Sequence, residues 1–225
     1  MVDVSADHVS RRPWGRWRPA PPRELAALLA GLGGRWWVAG GYALELATGR
    51  SWRAHGDADV AVPHREQLAV QRVLTGWQWW AARPPGRLRP WRPDEVLPED
   101  VHDIWCRPGP GAPWRVQIML ERIAGTGADE RWTSRRDPRV HRPLPSIHRV
   151  TPAGIPYLAP EVQLYYKAKS PRAKDEADFT HIVPAPPGPS RAWLAAAITS
   201  TYGPHPWRAA LREPAARDRD PRAGS

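Results

Sequence analysis

The spacing of apolar and polar residues along this chain predicts a sheet-forming first part and a helical second part. Pro22 to Leu32 sets Leu25, Leu28, Leu29 and Leu32 at helical spacing behind a proline start, with Gly33 and Gly34 as the stop. Trp36 to Ala39 is a short apolar run that predicts a strand. Gly40 and Gly41 turn it into a helix over Tyr42 to Thr48, which ends at Gly49. A polar loop, Arg50 to Gly56, leads into Asp57 to Val62, where acids alternate with apolar residues as on a strand buried on one side. His64 to Leu74 is amphipathic, Trp77 to Ala82 reads as a strand, and the Arg/Pro-rich segment 83–93 as a loop. Two further strands, His102 to Cys106 and Trp114 to Glu121, flank the turn Pro108 to Gly111, and Arg131 to Arg135 suggests a short edge strand. Residues 137–158 are punctuated by proline and predict an irregular wrapping connection. Beyond Pro160 the period becomes helical, over Glu161–Lys169, Ala173–Ile182, Arg191–Tyr202 and Pro206–Arg212.

These elements predict an α+β fold: a mixed sheet with flanking helices, followed by a small helical domain. The divisions expected are a flexible lead-in over 1–20, the α/β domain over 21–158, the helical domain over 159–213, and a disordered tail over 214–225.

Composition then narrows the partners. The formal net charge of +10 would ordinarily raise nucleic acid as a ligand. However, the charges are interspersed, with no run of five or six basic residues, so an Arg-rich solvated surface is the favoured reading and a nucleic-acid partner is not expected. Cys106 is the only cysteine, which excludes an intrachain disulfide and a thiolate zinc site. No apolar stretch approaches the length of a membrane span, and a cytoplasmic location is expected. Only three of the 33 basic residues are lysine, and all three, Lys167, Lys169 and Lys174, fall within eight residues. An ammonium reaches a phosphate oxygen without the wide guanidinium fork, so the cluster reads either as a phosphate contact or as a solvated helix face.

The candidate chemistry centres on Asp57 and Asp59. One residue apart on a strand, they point the same way and stand roughly 6–7 Å apart, a spacing suited to oxygen ligands sharing a divalent cation. Gly40 and Gly41 let the backbone approach an anion where a helix N-terminus offers free N–H groups. A third acid is normally wanted in such a site. On the strand 114–121, Gln117, Met119 and Glu121 share one face, which makes Glu121 the acid there and leaves a neutral amide, Gln117, in the central slot. Arg53 is a candidate phosphate ligand and His55 a candidate to orient a carboxylate or touch the nucleotide. Glu45 reads as structural, and Asp175 and Asp178 as charge balance for Lys174 or as contacts to a cationic acceptor. The cluster Asp94, Glu95, Glu99, Asp100 and Asp103 reads as acids lining an acceptor cleft or as a solvated loop.

In order, Gly40-Gly41-Tyr42 and then Arg53-x-His55-x-Asp57-x-Asp59-Val60 resemble the nucleotidyltransferase signature of GG or GS followed by DxD. GGYALELATGR with RAHGDADVAV is similar to the aminoglycoside-2''-adenylyltransferase family, related to the lincosamide nucleotidyltransferases. RRDPRV (135–140), GIPYLAPEVQLYYKAK (154–169) and KDEADF (174–179) extend the likeness over about residues 15 to 210. The resemblance implies a nucleotidyltransferase domain with substrates held between it and a helical domain. It implies Mg²⁺ on Asp57 and Asp59, with a third carboxylate on the strand 114–121, either Glu121 or a slot emptied by Gln117. It further implies triphosphate at Gly40, Gly41 and Tyr42, with nucleotide contacts from Arg53, His55, Lys167, Lys169 and Lys174. The function expected is Mg²⁺-dependent transfer of AMP from ATP to a hydroxyl of a small molecule such as an aminoglycoside-like antibiotic. Nucleotidylation of a protein or RNA, and a catalytically depleted nucleotide-binding protein, stand as alternatives.

Overall fold

A computed structural model describes residues 15–83, 87–184 and 188–212; most of the expected lead-in and the whole expected tail lie outside the described residues. Helix α1 (Pro22–Leu28) precedes β1 (Trp37–Val38), and α2 (Gly40–Thr48) leads to β2 (Asp59–Pro63) and α3 (Gln67–Val73). Strands β3 (Gln78–Arg83), β4 (Arg87–Pro90), β5 (Asp103–Arg107) and β6 (Val116–Glu121) follow. Next come β7 (Ile123–Ala124), β8 (Arg131–Thr133), β9 (His141–Pro143), β10 (His148–Val150) and β11 (Pro156–Leu158). The chain ends in helices α4 (Pro160–Lys167), α5 (Ala173–Ile182), α6 (Gly188–Tyr202) and α7 (Trp207–Arg212).

Eight strands form one mixed sheet in the order β10-β11-β1-β2-β6-β5-β3-β4, and β7, β8 and β9 form a second, antiparallel one. The pairs β1–β11 and β2–β6 are parallel; the other pairs of the large sheet are antiparallel. This is the α+β fold expected. Alternation decides which face is core. Val60 and Val62 of β2, Val116, Ile118 and Leu120 of β6, Ile104 and Cys106 of β5, and Trp79 and Ala81 of β3 all enter one hydrophobic core, which continues through α1, α2 and α4–α7. Each such aliphatic side chain taken from water contributes about 1.5–3 kcal/mol before entropy is counted. The opposite face carries Asp59, Gln117, Met119, Asp103 and Trp105. Trp105 joins a small separate cluster there with Leu88 and Trp114, packed on by Trp17 and Trp80.

Two expectations are corrected. The segment 83–93 is not all loop, because Arg87–Pro90 forms β4 in a hairpin with β3, its Pro90 at the sheet edge where a missing N–H is tolerated. Nor is 137–158 merely a connection: it holds β9, β10 and β11, and β11 lies beside β1 inside the large sheet. Strands of three residues are too short to display a period of two.

Candidate active site

Asp57 and Asp59 stand at the entry to β2, both half-buried, on the face of the sheet away from the main core. Asp59 pairs in register with Gln117 of β6, and Gln117 in turn with Trp105 of β5; Asp103 lies two residues away on β5, so its side chain shares the face. Gln117 Nε2 donates to Asp103 Oδ1 at 3.2 Å. Three carboxylates therefore gather on one surface. Burial first, then the like charges of Asp57 and Asp103, push the Asp59 carboxyl up to about 8, with Lys167 and Lys174 pulling the other way.

The glycine turn is built against this acid. Gly40 has φ +65°, and a Cβ there would collide with the Asp59 carboxylate; a Cβ on Gly41 would collide with the Arg53 guanidinium and the His55 ring. The Gly40 N–H donates to Gln163 Oε1 at 2.8 Å, so it is already engaged from α4. The glycines thus admit side chains as much as they could admit a phosphate, which revises the reading that both hold the triphosphate.

The loop before β2 is held by buried charges. Glu45 accepts from the backbone N–H groups of Trp52 at 3.1 Å and Arg53 at 3.4 Å, and its Oε2 lies 3.0 Å from His55 Nε2. Burial works against this carboxylate, but the Trp52 and His55 donors outweigh it and hold Glu45 below its ordinary range. The His55 ring lies tilted against Tyr42 with centroids 3.9 Å apart, and burial pushes its imidazole down. Arg53 grips Asp178 of α5 with two bonds of 2.9 Å, and its Nη1 reaches Ala54 O at 3.2 Å and His55 Nδ1 at 3.2 Å. Lys167 Nζ sits 2.8 Å from Asp175 Oδ1 and 3.0 Å from Asp178 Oδ2. Arg53 and Lys167, both expected on the nucleotide, are each held by acids of α5 in this structure. Lys169 is exposed. Lys174 is half-buried; burial pushes its ammonium down and the charge of Asp57 pulls it back.

Glu121 is not brought to the aspartates. It pairs with Pro63, four residues along β6 from Gln117, a displacement of about 13 Å. It is 1 % exposed, and its Oε2 accepts from Trp132 Nε1 at 2.8 Å and from Tyr166 OH at 3.0 Å, while burial pushes its carboxyl up. Its expected place as a third metal ligand is therefore corrected, because strand register carries it to the far end of the sheet. The acid that does share the surface is Asp103. The signal lay in the alternation of β5, Asp103 and Trp105 against Ile104 and Cys106, but which strand pairs with which cannot be read from alternation.

A sequence profile of the aminoglycoside-2''-adenylyltransferases matches residues 23–182, the span that carries every side chain described above. The chain belongs to the aminoglycoside-2''-adenylyltransferase family. It is accordingly a nucleotidyltransferase. The fold is similar to the lincomycin-bound crystal structure of the lincosamide antibiotic adenylyltransferase LnuA, with a TM-score of 0.50 at 14% identity, covering 75% of this chain and 98% of that one. It is similar to the crystal structure of ANT(2")-Ia in complex with adenylyl-2"-tobramycin, with a TM-score of 0.50 at 12% identity over 79% of this chain and 95% of that one. The solution structure of ANT(2'')-Ia gives a TM-score of 0.50 at 15% identity, covering 79% and 89%. No curated protein sequence matches.

Within this family member, the donor set at the open face suits a hard divalent cation: oxygen ligands only, with like charges uncompensated enough to displace the Asp59 carboxyl. Among the described residues no three carboxylate, imidazole or thiol side chains are drawn around a single point. Among them, too, no helix is long and apolar enough to cross a membrane.

Proposed function

We propose that the protein transfers AMP from ATP to a hydroxyl of a small antibiotic-like molecule, with Mg²⁺ held by Asp57 and Asp59 and with Asp103 as the base. The observation that carries this reading is the gathering of Asp57, Asp59 and Asp103 on the open face, with Asp59 driven up to about 8. The acceptors seen with the structural neighbours, lincomycin with LnuA and adenylyl-2"-tobramycin with ANT(2")-Ia, support a small molecule in that role.

A magnesium ion bound by the two aspartates would neutralise phosphate charge and polarise the α-phosphorus. The nucleotide's phosphates lie toward the first turn of α2, whose Gly41 and Tyr42 N–H groups a helix leaves unpaired, and toward Lys174. Asp103, aimed by the Gln117 amide, takes the acceptor's proton. The acceptor oxygen then bonds to the α-phosphorus as the bond to pyrophosphate breaks. Gln117 is on this account a positioning residue, and its neutrality does not deplete the site.

Substitution separates the two candidate acids. Asp103→Asn lowers kcat by about 10²–10⁴-fold, the worth of a general base, while Glu121→Gln changes it less than about tenfold. The opposite ranking in steady-state kinetics overturns the assignment.

A further inference from the structure

The two aspartates of the acid pair are held by different means. Asp59 is fixed by the sheet: it opens β2, its carbonyl accepts the Ala39 N–H at 2.8 Å, and it pairs in register with Gln117. Asp57 lies outside the strand. Its neighbour Ala58 still reaches the sheet, through a carbonyl that accepts the Gln117 N–H at 2.8 Å, but Asp57 itself is delivered by the loop 50–56.

One buried carboxylate holds the backbone of that loop. Glu45 is 8 % exposed and sits on α2 one turn after Gly41, so the two share a helix face. Its Oε1 accepts from the N–H groups of both Trp52 and Arg53, and its Oε2 lies 3.0 Å from His55 Nε2. The other ring nitrogen, Nδ1, lies 3.2 Å from Arg53 Nη1. A guanidinium can only donate, so Nδ1 is the acceptor and the ring carries its proton on the nitrogen beside Glu45. The loop also closes over the first turn of α2, where a Cβ on Gly41 would strike the Arg53 guanidinium and the His55 ring. On the other side the Trp52 indole and the Arg53 side chain are taken by Asp178 of α5. Backbone thus goes to Glu45 and side chains to α5. A loop released from Glu45 moves Asp57 while Asp59 stays with the sheet.

We infer that Glu45 is a positioning residue of the metal site: by holding the backbone of residues 52 and 53 and the His55 ring, it sets Asp57 against Asp59 and so sets the affinity of the pair for a divalent cation. This rests on the proposed binding of Mg²⁺ by Asp57 and Asp59. Groups behind metal ligands act by orienting them, and their loss lowers metal affinity. Glu45 is itself negative, so two effects have to be told apart, its field on a nearby cation and its grip on the loop.

Titration of the full-length protein with Mn²⁺, followed by the paramagnetic signal of the free ion, reads the affinity with no nucleotide present to chelate the metal; Mn²⁺ takes the same oxygen ligands as Mg²⁺. The wild type binds and Asp57→Asn does not. Glu45→Ala weakens binding by about 10–100-fold. Glu45→Gln removes the charge but keeps an acceptor oxygen of the same reach, and weakens binding less. Glu66→Ala is the control: it removes a carboxylate that accepts the Arg35 backbone N–H at 2.6 Å, beyond the far end of β2, and it lowers the melting temperature while leaving Mn²⁺ binding in place. Affinity of a folded Glu45→Ala equal to the wild type's overturns the inference. An equal loss in Glu66→Ala overturns it too, since the loss then follows stability. Glu45→Gln as weak as Glu45→Ala makes the effect that of one charge and overturns the positioning. Where thermal melts show that Glu45→Ala does not fold, Glu45→Asp decides, because it keeps the charge and shortens the reach: weaker binding supports the positioning, and unchanged binding overturns it. No Mn²⁺ binding by the wild type, or wild-type binding by Asp57→Asn, overturns the proposed metal site and this inference with it. Binding without transfer to any acceptor refutes the proposed reaction alone, and the variants are still judged by their titrations.

Discussion

Three lysines close together in sequence do three different things. Lys167 is fixed between Asp175 and Asp178, Lys169 is exposed, and Lys174 is half-buried in the field of Asp57. Lys174→Met accordingly weakens binding of a non-hydrolysable ATP analogue by about tenfold, the size of one charge-assisted contact, and leaves the melting temperature in place. Lys167→Met lowers the melting temperature, because it leaves two buried carboxylates under-paired. Calorimetry beside thermal denaturation checks both. The acid pair could be read from the chain because Asp57 and Asp59 are local and share a face by alternation alone. Asp103 could not be, because its partnership with Gln117 depends on β5 lying antiparallel to β6. Glu121 misled for the same reason: face is a local property, while position along a neighbour is set by register.

At the scale of elements, the turn from β1 into α2 works only because Gly40 adopts a left-handed backbone and carries no side chain toward Asp59. Gly40→Ala destabilises the protein by about 1–3 kcal/mol and disturbs the acid pair; urea denaturation with parallel kinetics measures both effects. Helix α5 carries a pH dependence of its own. Burial opposes the Asp175 carboxylate, but Arg172 and Lys167 outweigh it and hold the group down at about 2. A depressed carboxylate contributes stability above its unfolded value near 3.9, and that contribution is lost as pH falls through about 2. Asp175→Asn therefore flattens the fall in stability between about pH 4 and 2, read from denaturation at each pH; an unchanged slope contradicts the assignment. The helices were readable from period and from their proline starts, and the longer strands from alternation. What escaped were β4, β7 and β9–β11, whose short length leaves no rhythm, and β11 pairs besides with β1, far off in sequence.

At the scale of the molecule, the helices after Pro160 are tied to the sheet through buried charge. Asp178 takes Arg53, Trp52 Nε1 at 3.0 Å and Lys167, joining the loop before β2 to α4 and α5. Glu161 takes Arg142 at 2.9 Å and Ser190 at 2.9 Å, joining β9, α4 and α6. Such networks position a site better than they stabilise a fold, since desolvation offsets much of the attraction. They tie α5, which carries Lys174, to the loop that leads into Asp57 and Asp59. The chain's high positive charge then belongs to its Arg-rich surface and ion-pair networks, while the site itself is acidic. The central claim is that this surface transfers a nucleotide. It is tested most directly by incubating the full-length protein with ATP labelled on the α-phosphate and a panel of hydroxylated acceptors, with Mg²⁺ and with a chelator. Label moves to an acceptor only with Mg²⁺, and Asp59→Asn abolishes the transfer; binding of Mg²⁺–ATP with no transfer to any acceptor would contradict the account and leave a nucleotide-binding protein in its place.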